Sequence, residues 1–151
     1  MIRSLLLIGC IVTVSLSIHA QHRTPSQPPA KHAVVTAAQV NGVYRFDRSE
    51  FRILALGHNK LRVQFDGAYL TMAKSVNTGY ASGEATIDGN VATLDLPEFG
   101  PCKINMVFLR NGKMKVTQEG SDADCGFGHN VYATGNYRKI RGGKPNFESP
   151  P

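Results

Sequence analysis

The sequence predicts an all-β domain: a small antiparallel up-and-down barrel or curved sandwich of about eight or nine strands, with one disulfide. Three observations carry this. Apolar and polar residues alternate at period two along much of the chain. The breaks between those runs hold hairpin chemistry, Asp88-Gly89 and Asn111-Gly112 above all, whose residues tolerate positive φ in tight turns. No segment has helical periodicity, so nothing is expected to cover a sheet face and the sheet should close on itself.

The strands follow in order. The first two are expected at 42–47 and 51–56. Leu61-Arg62-Val63-Gln64-Phe65-Asp66 alternates cleanly after the turn residues Gly57-His58-Asn59 and gives a third, 61–66. Asp66-Gly67 reads as a turn into a fourth, 68–74. Strands at 83–87 and 91–96 flank Asp88-Gly89. The run 102–109 alternates and then becomes apolar on both faces, and 113–117 follows the Asn-Gly turn. The last strand, 131–138, is rich in Tyr, Val and Thr, as strands are. The inward positions are Phe51, Ile53, Leu61, Val63, Phe65, Leu70, Ile87, Leu94, Ile104, Met106, Phe108, Met114, Val116 and Tyr137, with the polar residues between them facing solvent. A barrel of about eight strands has room for those side chains, or for one small ligand.

The chain has 151 residues, a formal charge of +6, 42% apolar and 19% charged residues and no Trp. That composition excludes a disordered chain, a coiled coil, a multi-domain enzyme and a multispan membrane protein. Residues 1–20 read as a signal peptide: Arg3, an apolar run, then Ser17-Ile18-His19-Ala20 before Gln21. Ile18 is bulkier than the residue preferred at such a site. The apolar run is shorter than the ~20 residues that span a bilayer. Leu7-Ile8-Gly9-Cys10 also offers a lipidation site at Cys10. The expected destination is the periplasm or the extracellular medium. Residues 21–39, with Pro25, Pro28 and Pro29, read as a flexible leader, 40–140 as the β domain and 141–151 as a disordered tail.

Without Arg3, 16 basic residues face 11 acidic ones, a charge of +5. Two cysteines remain, Cys102 and Cys125. Export places them where a lone pair of thiols closes, and the loop between them is worth about 3 kcal/mol. A metal or redox pair is the alternative, but there is no C-x-x-C spacing.

The densest polar stretch is Gln118 to Asn130. Asp122 and Asp124 supply oxygens at alternate positions, as calcium needs, but without the later bidentate Glu. Ser121, Asp124 and His129 hold the residue types of a hydrolase, without the strand–turn–helix that presents a nucleophile. The plainer reading is a polar loop pinned at Cys125. His22, His32 and His58 show no ligand spacing, and Glu84 and Asp95 could face each other across a hairpin. No metal and no cofactor are expected.

Charge is unevenly spread. Residues 76–100 carry Glu84, Asp88, Asp95 and Glu98 and no Lys or Arg; 101–117 carry Lys103, Arg110, Lys113 and Lys115 and no acid. Arg45, Arg48, Arg52, Lys60 and Arg62 lie in the first strands, and Arg138, Lys139, Arg141 and Lys144 end the chain. A basic flank attracts an anionic lipid, a polysaccharide or an acidic protein. Nucleic acid is not expected, because export removes it and the aromatic signature of an RNA-binding sheet is missing.

The segments Gly83 to Ala92, Cys102-Lys103-Ile104, Val116-Thr117-Gln118, Cys125-Gly126-Phe127-Gly128-His129-Asn130-Val131 and Gly135-Asn136-Tyr137-Arg138 resemble a group of small exported bacterial domains. These have a cysteine opening one strand, a Cys-Gly-Phe-Gly loop and a closing Gly-x-Tyr strand, and some are associated with lysozyme-inhibitor proteins. The resemblance spans about residues 42–139. It implies Cys102–Cys125 pairing and carries over no catalytic residue.

The function expected is a non-enzymatic binding module of the bacterial cell envelope, not membrane-spanning, whose partner is a protein or an anionic envelope component. Loops on rigid β scaffolds usually bind, so Phe127, His129 and Asn130 are the contact candidates. The alternatives are an inhibitor of a secreted lysozyme-type hydrolase, which a charge of +5 would repel if that enzyme were basic, and a carrier of a small apolar ligand inside the barrel.

Overall fold

The computed structural model describes residues 34–147. The signal segment 1–20, Cys10, His22 and His32 lie outside the described residues. Eight strands form a closed barrel: β1 (Gly42–Phe46), β2 (Ser49–Gly57), β3 (Lys60–Leu70), β4 (Val76–Asp88), β5 (Val91–Leu96), β6 (Cys102–Phe108), β7 (Lys113–Glu119) and β8 (Gly135–Gly142). Each strand pairs antiparallel with the next, and β8 returns to β1. The up-and-down barrel is therefore the realised alternative, with eight strands.

The turns follow local chemistry. His58 and Asn59 have φ of 50° and 58°, Gly89 59°, and Asn111 and Gly112 64° and 68°. The exception is Asp66-Gly67, which does not turn. The chain runs straight through it, so the expected strand 61–66 and the first part of 68–74 are one strand, β3, which ends at Leu70; residues 71–74, expected as strand, form the turn into β4. Gly67 is required there by crowding: a Cβ on it would lie 2.5 Å from Phe65 Cζ and 3.1 Å from Val131 Cγ1. The segment 131–134, expected to open the last strand, is extended coil ahead of β8.

The interior is filled by side chains. Tyr44, Phe51, Phe65 and Ala81 are successive partners across β1 to β4. Phe51 lies 4.9 Å from Phe65 and 5.0 Å from Tyr137, ring to ring. Small residues sit opposite large ones: Ala81 faces Phe65, Ala85 faces Leu61 and Ala92 faces Met106. Of the expected core, Leu70 is exposed, because β3 has run past the barrel rim by that point, and Ile87 is half-buried. The other twelve expected positions are buried. Gln64, expected in solvent, is completely buried on the outer wall. It donates to Asp66 (3.1 Å), and the chain after β8 returns to this region, with Phe147 stacked 4.2 Å from the Arg62 guanidinium.

Both ends are closed. At the end where β2 finishes and β3 begins, a one-turn helix, α1 (Ala37–Val40), stops the barrel. Sequence reading expects no helix and a flexible leader there. Four residues give no apolar periodicity to detect, yet Val40 is buried and Val35 packs on the core. The Tyr44 hydroxyl donates to the carbonyls of Val40 (2.9 Å) and Gln39 (3.0 Å). Lys139 Nζ donates to the carbonyls of Gln39 (2.6 Å) and Ala38 (3.3 Å), and burial lowers its pKa. At the opposite end the β7–β8 connection covers the interior. The described part of the expected tail is also placed: Arg141 and Gly142 belong to β8, and Pro145 is buried. No helix among the described residues is long and apolar enough to cross a membrane.

Candidate functional site

The β7–β8 connection, residues 120–134, is built from β7 upward. The half-buried Gln118 near the end of β7 holds both ends of the loop. Its carbonyl accepts the Ala133 N–H (2.8 Å), and its amide donates to the carbonyls of Gly120 (3.3 Å) and Ser121 (3.2 Å). Its backbone N–H donates to the Thr134 hydroxyl (3.0 Å). Cys125 is bonded to Cys102 at the start of β6, with 5.0 Å between their Cα atoms.

The loop carboxylates serve the loop itself. Asp124 Oδ2 accepts the Ser121 N–H and the Ser121 hydroxyl, both at 2.8 Å. Asp122 accepts the Asn130 N–H (2.7 Å) and the Ala123 N–H (2.9 Å), with His129 Nδ1 at 3.5 Å. These hydrogen bonds, from Asn130 first for Asp122 and from Ser121 for Asp124, hold both carboxyls below the usual Asp range. Ser121 and His129 thus belong to two different carboxylates. The serine hydroxyl donates to Asp124, not to an imidazole, so the geometry assembles no nucleophile–base pair. Among the described residues no group of three or more His, Cys, Asp or Glu is placed to hold a metal ion.

The three expected contact residues separate. Phe127 is buried, 5.1 Å from Phe65 ring to ring, and anchors the loop from inside. His129 is exposed, and its carbonyl accepts from the Asn77 side chain (2.7 Å). Asn130 is exposed with φ of 64°. The Cys-Gly-Phe-Gly motif is a fastening element: Gly126 lies against the Phe99 ring, and the Gly128 N–H donates to the Thr78 carbonyl (2.9 Å).

The charges sort differently from their order in sequence. Glu84 pairs with Lys60 (3.3 Å) and Asp95 with Lys103 (3.5 Å), so each of these carboxylates has a cation of its own. Glu50 sits between Arg45 (2.7 Å) and Arg52 (3.0 Å), and Arg52 also reaches Asp66. Much of the basic content of the first strands is thereby neutralised.

On the β7–β8–β1 wall it is not. Lys113, Arg138 and Arg45 are successive cross-strand partners, all pointing outward. Lys115 lies one outward position along β7, opposite Asn136. Among the described residues Lys113, Lys115 and Arg138 have no carboxylate partner. Like charges directly opposite on a sheet are destabilising, so this row costs the fold something. Sequence reading counts these residues but cannot place them, because Lys113 and Arg138 meet only through the register of β7 and β8. Comparison of the chain with protein-family models, with curated proteins and with solved structures gives no match.

Proposed function

We propose that this chain is an exported, non-enzymatic binding module of the bacterial cell envelope, and that it holds an anionic envelope component on the outer wall of its barrel. The carrying observation is the row Lys113–Arg138–Arg45, extended by Lys115, in which only Arg45 has a carboxylate partner among the described residues. A sheet that sets like charges opposite one another gains from an anion that bridges them. The disulfide fits an oxidising compartment. The filled interior, closed at both ends, counts against carriage of a ligand inside the barrel.

The test compares the parent chain with Lys113→Glu/Arg138→Glu on dextran sulfate, with neutral dextran as control. Binding should appear with the sulfated polymer alone and weaken steeply with salt. The double reversal should lose more than about tenfold, since each cation near an anionic surface contributes about 1 kcal/mol. His129→Ala should bind as the parent does. Binding that survives the double reversal would sink the reading.

A further inference from the structure

β3 and β4 outrun the barrel. β2 stops pairing with β3 at Asp66, but β3 and β4 continue together through Gly67–Gly79, Ala68–Thr78, Tyr69–Asn77 and Leu70–Val76. The result is a two-stranded ribbon standing on the rim at the loop-covered end. Its tip exposes apolar side chains on both faces. Leu70 and Val76 face each other on the outer face, Tyr69 lies on the opposite face, and Met72 at the apex is fully exposed at 103%. Exposing this much apolar surface in one place is unusual for a protein that meets only water.

The ribbon is braced. Within the tip the Thr71 N–H donates to the Ser75 carbonyl (2.9 Å), the Lys74 N–H to the Thr71 carbonyl (3.0 Å) and the Ser75 N–H to the Thr71 hydroxyl (3.1 Å). At its foot the disulfide-anchored loop grips it through Gly128–Thr78 and Asn77–His129. A braced tip loses little conformational entropy when it is buried.

The chemistry of the ribbon selects its partner. From Gly67 to Gly83 the only charged residue is Lys74, beside the apex, and there is no carboxylate. Asp66, at the base, is held by Arg52. The tip is the turn of a hairpin standing beyond the last β2–β3 pair. An apolar apex, a Lys whose stem can reach back to headgroups, and a tyrosine behind it form the arrangement that suits the interface of a bilayer. We propose that the β3–β4 ribbon is a membrane wedge: Leu70, Met72 and Val76 enter the interface of an anionic bilayer while Lys74 stays with the phosphates. This goes beyond the polyanion reading, uses different residues and does not depend on it.

The chain has no Trp, so Met72→Trp places a single reporter at the apex and Leu109→Trp places one at the opposite end of the barrel. With vesicles of phosphatidylethanolamine and phosphatidylglycerol, emission of Met72→Trp should shift to the blue and become shielded from iodide; Leu109→Trp should do neither. Because Trp itself favours interfaces, the parent chain is also sedimented with the same vesicles against Leu70→Asp/Met72→Asp. Both positions are exposed, so the variant should melt with the parent while its vesicle binding falls on the order of tenfold or more. Equal sedimentation of parent and variant overturns the wedge and leaves any lipid contact to the basic row. No sedimentation of the parent overturns it too and points to a protein cleft as the occupant. Either result leaves the dextran sulfate test untouched.

Discussion

The rings of Phe65 and Phe127 lie 5.1 Å apart at 40°, one on the barrel wall and the other on the loop that covers it. This contact seals the interior at the loop end. Phe127→Ala empties a buried ring site, and such truncations cost about 3 kcal/mol or more. Urea unfolding should show the unfolding free energy falling by that amount and the midpoint falling with it, with His129→Ala near the parent. An unchanged midpoint for Phe127→Ala would return this residue to the surface role that its place in the sequence suggests.

Gly79 should tolerate no side chain. A Cβ there would lie 2.8 Å from Val131 Cγ1 and 2.9 Å from Phe127 Cγ. Gly79→Ala should cost about 1–3 kcal/mol through overpacking. Gly142→Ala, whose Cβ would meet nothing within 4 Å, should stay within about 0.5 kcal/mol. Thermal melts of the two variants make the comparison, and equal losses would mean that the loop yields rather than resists.

These two sites show what a linear reading can reach. Alternation marks Phe51, Ile53, Val63 and Ile104 correctly, because a large apolar residue at every second position has one inner face to go to. It passes over Ala81, Ala85 and Ala92, whose small size is the complement of Phe65, Leu61 and Met106 across the ladder. It places Leu70 inside because alternation carries no information on where the neighbouring strand ends. It reads Asp66-Gly67 as a turn because a glycine kept for lack of space looks the same as one kept for positive φ. The disulfide is legible from the cysteine count and an expected export; the basic row is not, since it exists only once β7, β8 and β1 are in register.

The disulfide should matter in proportion to its loop. With a sequence separation of 23 between Cys102 and Cys125, the unfolded chain gains about 3 kcal/mol of conformational freedom when the bond is removed. Cys102→Ser/Cys125→Ser should lower the urea midpoint accordingly and leave the β-sheet circular dichroism intact at low temperature. The loop end should loosen first, seen as faster amide exchange at Gly128 and Ala133. Uniform loosening of the barrel instead would show that the bond acts on the whole domain.

Acid should release the same loop. The folded pKa values of Asp122 and Asp124 are depressed, so their stabilisation is full above the ordinary Asp value of about 3.9 and is lost as the pH falls through the lower folded values. Amide exchange at Ser121 and Asn130, whose N–H groups these carboxylates accept, should accelerate below that pH while the β3 amides stay protected. Asp122→Asn should flatten the response at Asn130 alone. A response that persists there in the variant would assign it to another group.

Alkali tests both ends. The Tyr44 hydroxyl holds α1 through the carbonyls of Val40 and Gln39, and the Tyr137 hydroxyl donates to the Ala133 carbonyl at 2.9 Å. Burial raises both phenol pKa values well above their ordinary value. A raised acid stabilises the fold fully below its unfolded pKa, about 10, and that contribution is lost as the pH rises from there through the folded value. Phenolate absorbance should therefore show two tyrosines that ionise only together with unfolding. Tyr44→Phe should remove one of them and cost about 1 kcal/mol at neutral pH. Because this hydroxyl is what ties the plug to the barrel wall, the same variant should expose the Val40 amide to exchange before any strand opens. If Val40 stays as protected as Phe51, the plug is held by its apolar contacts and the hydroxyl is incidental to it.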